Sequence, residues 1–125
     1  MDWDEWRGSL DGRPVFWTKH LLCFWDCHMD LHKMVAADDK GCFHTHPAHA
    51  IRIILRGGYV EELEDGTLKT WTPGSIGWVR PSHCHRIYRL YNWEWSYSLW
   101  IRFRKVAKVE LRGDGWQKQI HAPVR

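Results

Sequence analysis

From about residue 30 onward, turn-forming residues cut the chain into segments of four to nine residues, and that spacing predicts an antiparallel β architecture. His32–Ala37 is followed by the hairpin-like turn Asp38-Asp39-Lys40-Gly41, and Cys42–His46 is stopped by Pro47. Ile51–Leu55 runs into Gly57-Gly58, Tyr59–Leu63 into Glu64-Asp65-Gly66, and Leu68–Trp71 into Pro73-Gly74. Ile76–Val79 meets Pro81-Ser82, His85–Leu90 meets Tyr91-Asn92-Trp93, and Trp95–Phe103 closes the series. Strict alternation of Tyr97, Leu99, Ile101 and Phe103 with Ser98, Trp100, Arg102 and Arg104 places the first set on one face of a strand half buried in apolar surface. Leu21–Met34 fits either a helix, through Leu22, Trp25 and Met29, or a strand.

Composition sets the class. The 125 residues are 44% hydrophobic and 26% charged with ten Trp and a net charge of +3, so the chain can bury enough surface to order itself as one domain. No stretch approaches the roughly 18 apolar residues of a membrane span. The acidic N-terminus, Met1-Asp2-Trp3-Asp4-Glu5-Trp6, has no basic-then-apolar leader pattern, so the expectation is a cytoplasmic protein. Basic and acidic residues are interleaved, which argues against a nucleic-acid partner. Cys23, Cys27, Cys42 and Cys84 are then read as free thiols or ligands rather than disulfides.

The chemistry concentrates in histidine. Five of the nine fall in two short clusters, His44, His46 and His49, then His83 and His85. On a strand, His44 and His46 point to the same face about 7 Å apart, and His85, opening a later strand, can bring a third imidazole to them.

Gly41-x2-His44-x-His46-Pro47, Leu55-Arg56-Gly57-Gly58-Tyr59, Pro73-Gly74-Ser75 and His85-Arg86, in this order and spacing, resemble the two motifs of small single-domain cupins, whose text reads roughly H-x-H-P, L-R-G-G-Y-x-E, P-G-S and H-R-L, over residues 30 to 104. The resemblance implies a single cupin-type antiparallel β-barrel, a double-stranded β-helix or jelly roll, holding a divalent metal. His44, His46 and His85 match the family's histidine ligands. Its usual glutamate ligand would fall at Ala50 or Ile51 and is absent, which leaves a neutral three-histidine site, with His49 or water in the fourth position. Iron is the favoured ion, with manganese, nickel or zinc as alternatives, since imidazole suits all of them.

On this reading residues 1–29 are a Trp-rich N-terminal arm packed on the barrel, 30–104 the barrel and 105–125 a tail. Candidate substrate contacts are Arg52, Tyr59 and Arg80. If Ala50 faces inward so does Arg52, near the metal; one residue later, Ile51, Ile53 and Leu55 face the core and Arg52 faces solvent, and the apolar alternation favours this second register. His83 is read as a turn residue with an exposed ring, with joining or flanking the site, through its strand parity with His85, as the alternative; Cys42 is read as a small buried side chain, and Glu61 and Glu62 as exposed or rim acids. Cys23-x3-Cys27-His28 with His32 resembles a zinc knuckle without room for a finger. No Ser-His-Asp order and no phosphate-binding glycine loop is present. The expected function is a metal-dependent, dioxygenase-like enzyme acting on a small molecule. Its alternatives are a cupin isomerase or epimerase, or a non-catalytic barrel that binds a small anionic or aromatic ligand. A homodimer formed through the Trp-rich arm is expected.

Overall fold

The structure, a computed structural model, describes residues 3–8, 13–38, 43–46 and 48–106, and the backbone alone at 111–112 and 121–122. Its elements are strands: β1 (Glu5–Gly8), β2 (Pro14–Phe24), β3 (Cys27–Met34), β4 (Phe43–His44), β5 (Ala48–Arg56), β6 (Tyr59–Leu63), β7 (Leu68–Trp71), β8 (Ile76–Val79), β9 (His85–Leu90), β10 (Ser96–Lys105), β11 (Leu111–Arg112) and β12 (His121–Ala122). β6, β7, β8 and β9 match the expected segments to the residue. Turn chemistry is the reason: Gly57 and Gly58 between β5 and β6 have φ of 76° and 87°, and a Cβ at either would lie 2.2 Å from a backbone oxygen of Trp95 or Trp71. Only glycine fits there.

Seven strands form one sheet in the order β12-β1-β2-β3-β10-β5-β8, and five form a second in the order β11-β4-β9-β6-β7. All recorded pairings are antiparallel. Val15, Met34 and Ile54 of the first sheet meet Tyr59, Trp71, Ile87 and Leu90 of the second in one buried cluster. The expected all-β double-stranded β-helix is found; its described strands form two facing sheets that share no member and are not closed into a barrel. Between β7 and β8 the chain turns a sharp corner at Gly74 (φ 91°), pinned by Gly74 N to Ile54 O and Ile54 N to Ser75 O bonds of 2.8 and 2.9 Å.

The strand pattern decides three further points. Leu21–Met34 is not helical; it is the end of β2, a turn and all of β3, with Trp25 at the tip in the left-handed region (φ 53°) and 88% exposed. Residues 5–8 and 14–24 are members of the large sheet, and the boundary at residue 29 falls inside β3. Along β5 and β10 the facing is the reverse of the apolar reading. Ala50, Arg52 and Ile54 point inward and Ile51 and Ile53 outward, while Ser96, Ser98 and Trp100 point inward and Tyr97, Leu99 and Ile101 outward. Arg52 is 1% exposed, because the second sheet supplies a buried carboxylate opposite it.

Candidate metal centre

β4 and β9 are adjacent, and His44 and His85 are direct cross-strand partners. His46, two residues beyond His44, is held by a bond from its amide to Pro81 O of 3.2 Å. The three rings converge edge to face, with centroids 5.7 Å apart for His44–His46, 4.9 Å for His44–His85 and 4.8 Å for His46–His85. One ligand atom from each lies within 4.8 Å of the other two.

Glu61 decides which nitrogens are available. It is fully buried, and each of its neighbours is a donor. Arg52 gives it Nη1 at 3.0 Å and Nη2 at 3.3 Å, Trp71 gives Nε1 at 3.0 Å, and His85 Nδ1 lies 2.5 Å from its Oε2. Against the opposing effect of burial, its hydrogen bonds with His83, whose Nε2 lies 3.3 Å from Oε2, and with His85, together with the Arg52 charge, hold its carboxyl far below the usual range. Burial keeps His85 neutral against the pull of Glu61, and it pushes His46 down to about 2, helped by the neighbouring histidines. A neutral His85 that donates Nδ1–H to Glu61 carries its lone pair on Nε2. That atom faces His46 Nε2 at 3.1 Å.

The donor set fits a metal ion. Two imidazole nitrogens on one ion at about 2.1 Å each, with angles between octahedral and tetrahedral, are about 3.0–3.4 Å apart. The backing carboxylate is the usual device for fixing a ligating histidine's tautomer. A second grouping, Glu61, His83 and His85, is sterically close, but the Glu61 oxygens are already engaged by Arg52, Trp71 and His85. Since Arg52 matches the charge of Glu61, an ion on the three imidazoles would keep its full +2.

A cavity of about 190 Å³ opens beside the histidines, lined by all three together with Phe16, Met34, Tyr59 and Trp100. Arg7 and Arg102 also line it, and each is paired with a buried acid, Asp38 and Asp30 respectively. Arg7 holds the Asp38 carboxyl below its ordinary value against burial.

Of the expected substrate contacts, Tyr59 lines the cavity and its hydroxyl accepts from Arg52 Nη1 at 3.1 Å. Arg52 stands behind it, its guanidinium 3.9 Å from the Trp71 ring. Space for that indole comes from Gly77, where a Cβ would lie 2.2 Å from the Trp71 ring. Arg80 is exposed and is not among the residues that line this cavity; it falls at the turn after β8. His49 is outside the cluster, its ring tilted over Trp78 at 5.3 Å. His83 is drawn inward, with Nε2 3.3 Å from Glu61. Cys42 lies outside the described residues. Cys23, Cys27, His28 and His32 form no metal grouping among the described residues; His32 instead stacks on Trp100 at 5.5 Å.

The residue missed was Glu61, read as a surface acid beside Glu62. Two signals could have found it: Glu61 stands where the family's L-R-G-G-Y-x-E text has its acid, and strand parity places it on the face of Tyr59.

No protein-family model matches the chain, and no curated protein sequence does. Solved structures do. A cupin-like protein of Thermotoga maritima superposes with a TM-score of 0.63 at 16% identity, over 82% of this chain and 79% of that one. A Klebsiella pneumoniae protein with a double-stranded β-helix domain gives 0.61 at 14% identity, over 80% and 86%. The Fe(II) form of HppE gives 0.66 at 11% identity over 79% of this chain, which spans only 55% of that larger one. With its two facing antiparallel sheets and its histidines gathered between them, the chain has the double-stranded β-helix fold of the cupins.

Proposed function

We propose that the protein is a small metal-dependent enzyme of the non-haem Fe(II) oxygenase type, with His44, His46 and His85 as the ligands and a small molecule as substrate. The observation that carries this reading is the pairing of His46 Nε2 with His85 Nε2 at 3.1 Å while Glu61 occupies the far side of the His85 ring. The likeness to Fe(II) HppE supports it at the level of fold. The bound ion would supply a Lewis-acidic, redox-active centre with positions left open by only three protein ligands.

The chain's own residues do the rest. Glu61 holds the proton on His85 Nδ1 and so keeps Nε2 available, and Arg52 holds Glu61 ionised. Phe16, Met34 and Trp100 give the cavity an apolar wall that orders a small ligand and excludes water. Arg102 lines the same cavity with its Nε buried and unpartnered, and it is the group suited to hold a carboxylate of the substrate.

The test is metal content and its geometry. Purified protein should carry, or take up anaerobically, one Fe(II) per chain, and nitric oxide added as a stand-in for dioxygen should give the electron paramagnetic resonance signal of an iron nitrosyl. His46→Ala should lose the ion and keep the β-sheet circular dichroism. Protein that takes up no Fe, Mn, Ni or Zn on titration ends the proposal, and an iron centre that does not bind nitric oxide ends its oxygenase part.

A further inference from the structure

The cavity beside the three histidines is lined by protons that no group of the described residues accepts. Each buried hydroxyl has two lone pairs and one proton to place. Tyr59, 2% exposed, accepts from Arg52 Nη1 at 3.1 Å. A guanidinium has no lone pair to offer in return, so the phenol proton has to go elsewhere. Glu61, the acid that Arg52 holds, is already taken up by two arms of that arginine, by Trp71 Nε1 and by His85 Nδ1. Ser98, also 2% exposed, repeats the arrangement: its Oγ accepts from Trp100 Nε1 at 3.1 Å, and an indole nitrogen only donates. Arg102 adds a third donor, since its Nε is buried without a partner while Nη2 is spent on Asp30. Tyr59, Ser98 and Arg102 all line this one cavity.

The acids of the region do not balance these donors. Asp38, the one carboxylate on the wall among the described residues, takes Arg7 on Oδ1 and the Ile87 amide on Oδ2. Asp30, off the wall, takes Arg102 on one oxygen and lies 2.7 Å from His20 Nδ1 on the other. His32 faces the cavity as a neutral ring, because burial pushes it down to about 3. A cationic group entering here finds no carboxylate free to meet it. Phe16, Met34, Ile87 and Trp100 make the rest of the wall apolar.

We propose that, given the reading of this cavity as the substrate site, its ligand is a small carboxylate with an apolar body and no ammonium group, whose oxygens accept the protons of Tyr59, Ser98 and Arg102. A carboxylate fits the count, because its two oxygens offer about four lone-pair directions. Hydrogen bonds to a charged acceptor are also about twice as strong as neutral ones. With a divalent ion on three neutral imidazoles, a bound anion offsets part of the charge that the protein leaves uncompensated. The volume of about 190 Å³ lies below the roughly 300–1,000 Å³ of sites for drug-sized molecules, so the body is no larger than a phenyl ring or a short branched alkyl chain.

Isothermal titration calorimetry on the metal-free full chain tests this with benzoate and isobutyrate, against benzylamine and isobutylamine as cationic counterparts. At least one carboxylate should bind with a dissociation constant of roughly 1 mM or tighter, and both amines about tenfold more weakly or not at all. Tyr59→Phe keeps the ring and removes the hydroxyl, and it should weaken the carboxylate about tenfold while leaving the amines unchanged. Should that variant lose its β-sheet circular dichroism, Ser98→Ala gives the same reading from the second hydroxyl. A wild type that binds neither carboxylate, or binds an amine as tightly, overturns the proposal. So does carboxylate affinity that survives both Tyr59→Phe and Ser98→Ala. Metal uptake is read in its own titration: a protein that takes up no ion yet binds benzoate in this manner refutes the metal enzyme and leaves the carboxylate site standing. One that takes up iron but prefers the amines loses the carboxylate site alone.

Discussion

Replacing Glu61 by Gln keeps the shape of the side chain and removes the one property its surroundings demand. Its neighbours within bonding distance are two arms of Arg52, the Trp71 indole and His85 Nδ1, all donors, and His83 Nε2 at 3.3 Å. An amide offers one oxygen, so whichever way it is turned its NH2 faces at least two donors. If the NH2 takes the Oε2 side, His85 relieves the clash by moving its proton to Nε2, the atom directed at His46, and its metal-binding lone pair then points the wrong way. Loss of a backing carboxylate of this kind lowers metal affinity about 10- to 100-fold. Separately, Arg52 is left buried at 1% exposure without its counter-charge, and breaking such a pair from one side costs about 3–5 kcal/mol. Against a total stability of roughly 5–15 kcal/mol that is a large fraction. Competition with a chromophoric chelator measures the first effect, and urea unfolding of metal-free protein the second. A Glu61→Gln protein that binds metal as tightly as wild type, with its urea midpoint unmoved, would refute the argument that Glu61 sets the His85 tautomer and neutralises Arg52.

Gly77→Ala should destabilise by about 1–3 kcal/mol, because the new methyl meets the Trp71 ring rather than open space, and Trp71→Phe in the same chain should recover part of the loss. A neutral Gly77→Ala in urea titration would contradict this. Burial pushes His32 down to about 3 from 6.5, so the unfolded chain binds its proton first as pH falls. Metal-free protein should therefore lose stability below pH 6.5, by up to about 1.4 kcal/mol per pH unit for each such histidine. The depressed carboxyl of Glu61 adds nothing to this until pH falls below about 4.5, where its contribution begins to be lost. Urea midpoints between pH 6.5 and 4.5 read the slope, which His32→Gln should flatten. Saturating metal at a hundred times its dissociation constant should stabilise the wild type by about 2.7 kcal/mol in the same assay and leave His85→Ala unmoved.

What the sequence made legible were features written in local chemistry. Strands β6 to β9 are bounded by Gly-Gly, Asp-Gly, Pro-Gly and Pro-Ser turns, whose backbone demands do not depend on the rest of the fold. His44, His46 and His85 could be grouped because strand parity and a short motif sufficed. The facing of β5 was not legible, because the strand is apolar on both sides and hydrophobic alternation cannot choose between them. Glu61 was hidden for a related reason. A buried carboxylate makes sense only once Arg52, nine positions earlier and on the opposite sheet, is known to face it. The sheet membership of residues 5–24 rests on pairings with β3 and β12 that lie far along the chain or carry no turn signal.

The Arg52–Glu61 pair also settles which of two molecules this chain becomes. Slid by one position, β5 would bury Ile51 and Ile53 in place of Arg52, a trade that favours the slipped form on apolar area alone. In that competing state Glu61 would be sealed against isoleucine with no cation to meet it, at a cost of several kcal/mol. The ion pair thus acts less as an adhesive than as a key that admits one alignment. With Met at 52 and Leu at 61, the chain is expected to keep a comparable unfolding midpoint but to give two sets of amide resonances for β5, where the wild type gives one. A single set would show that some other contact makes the choice.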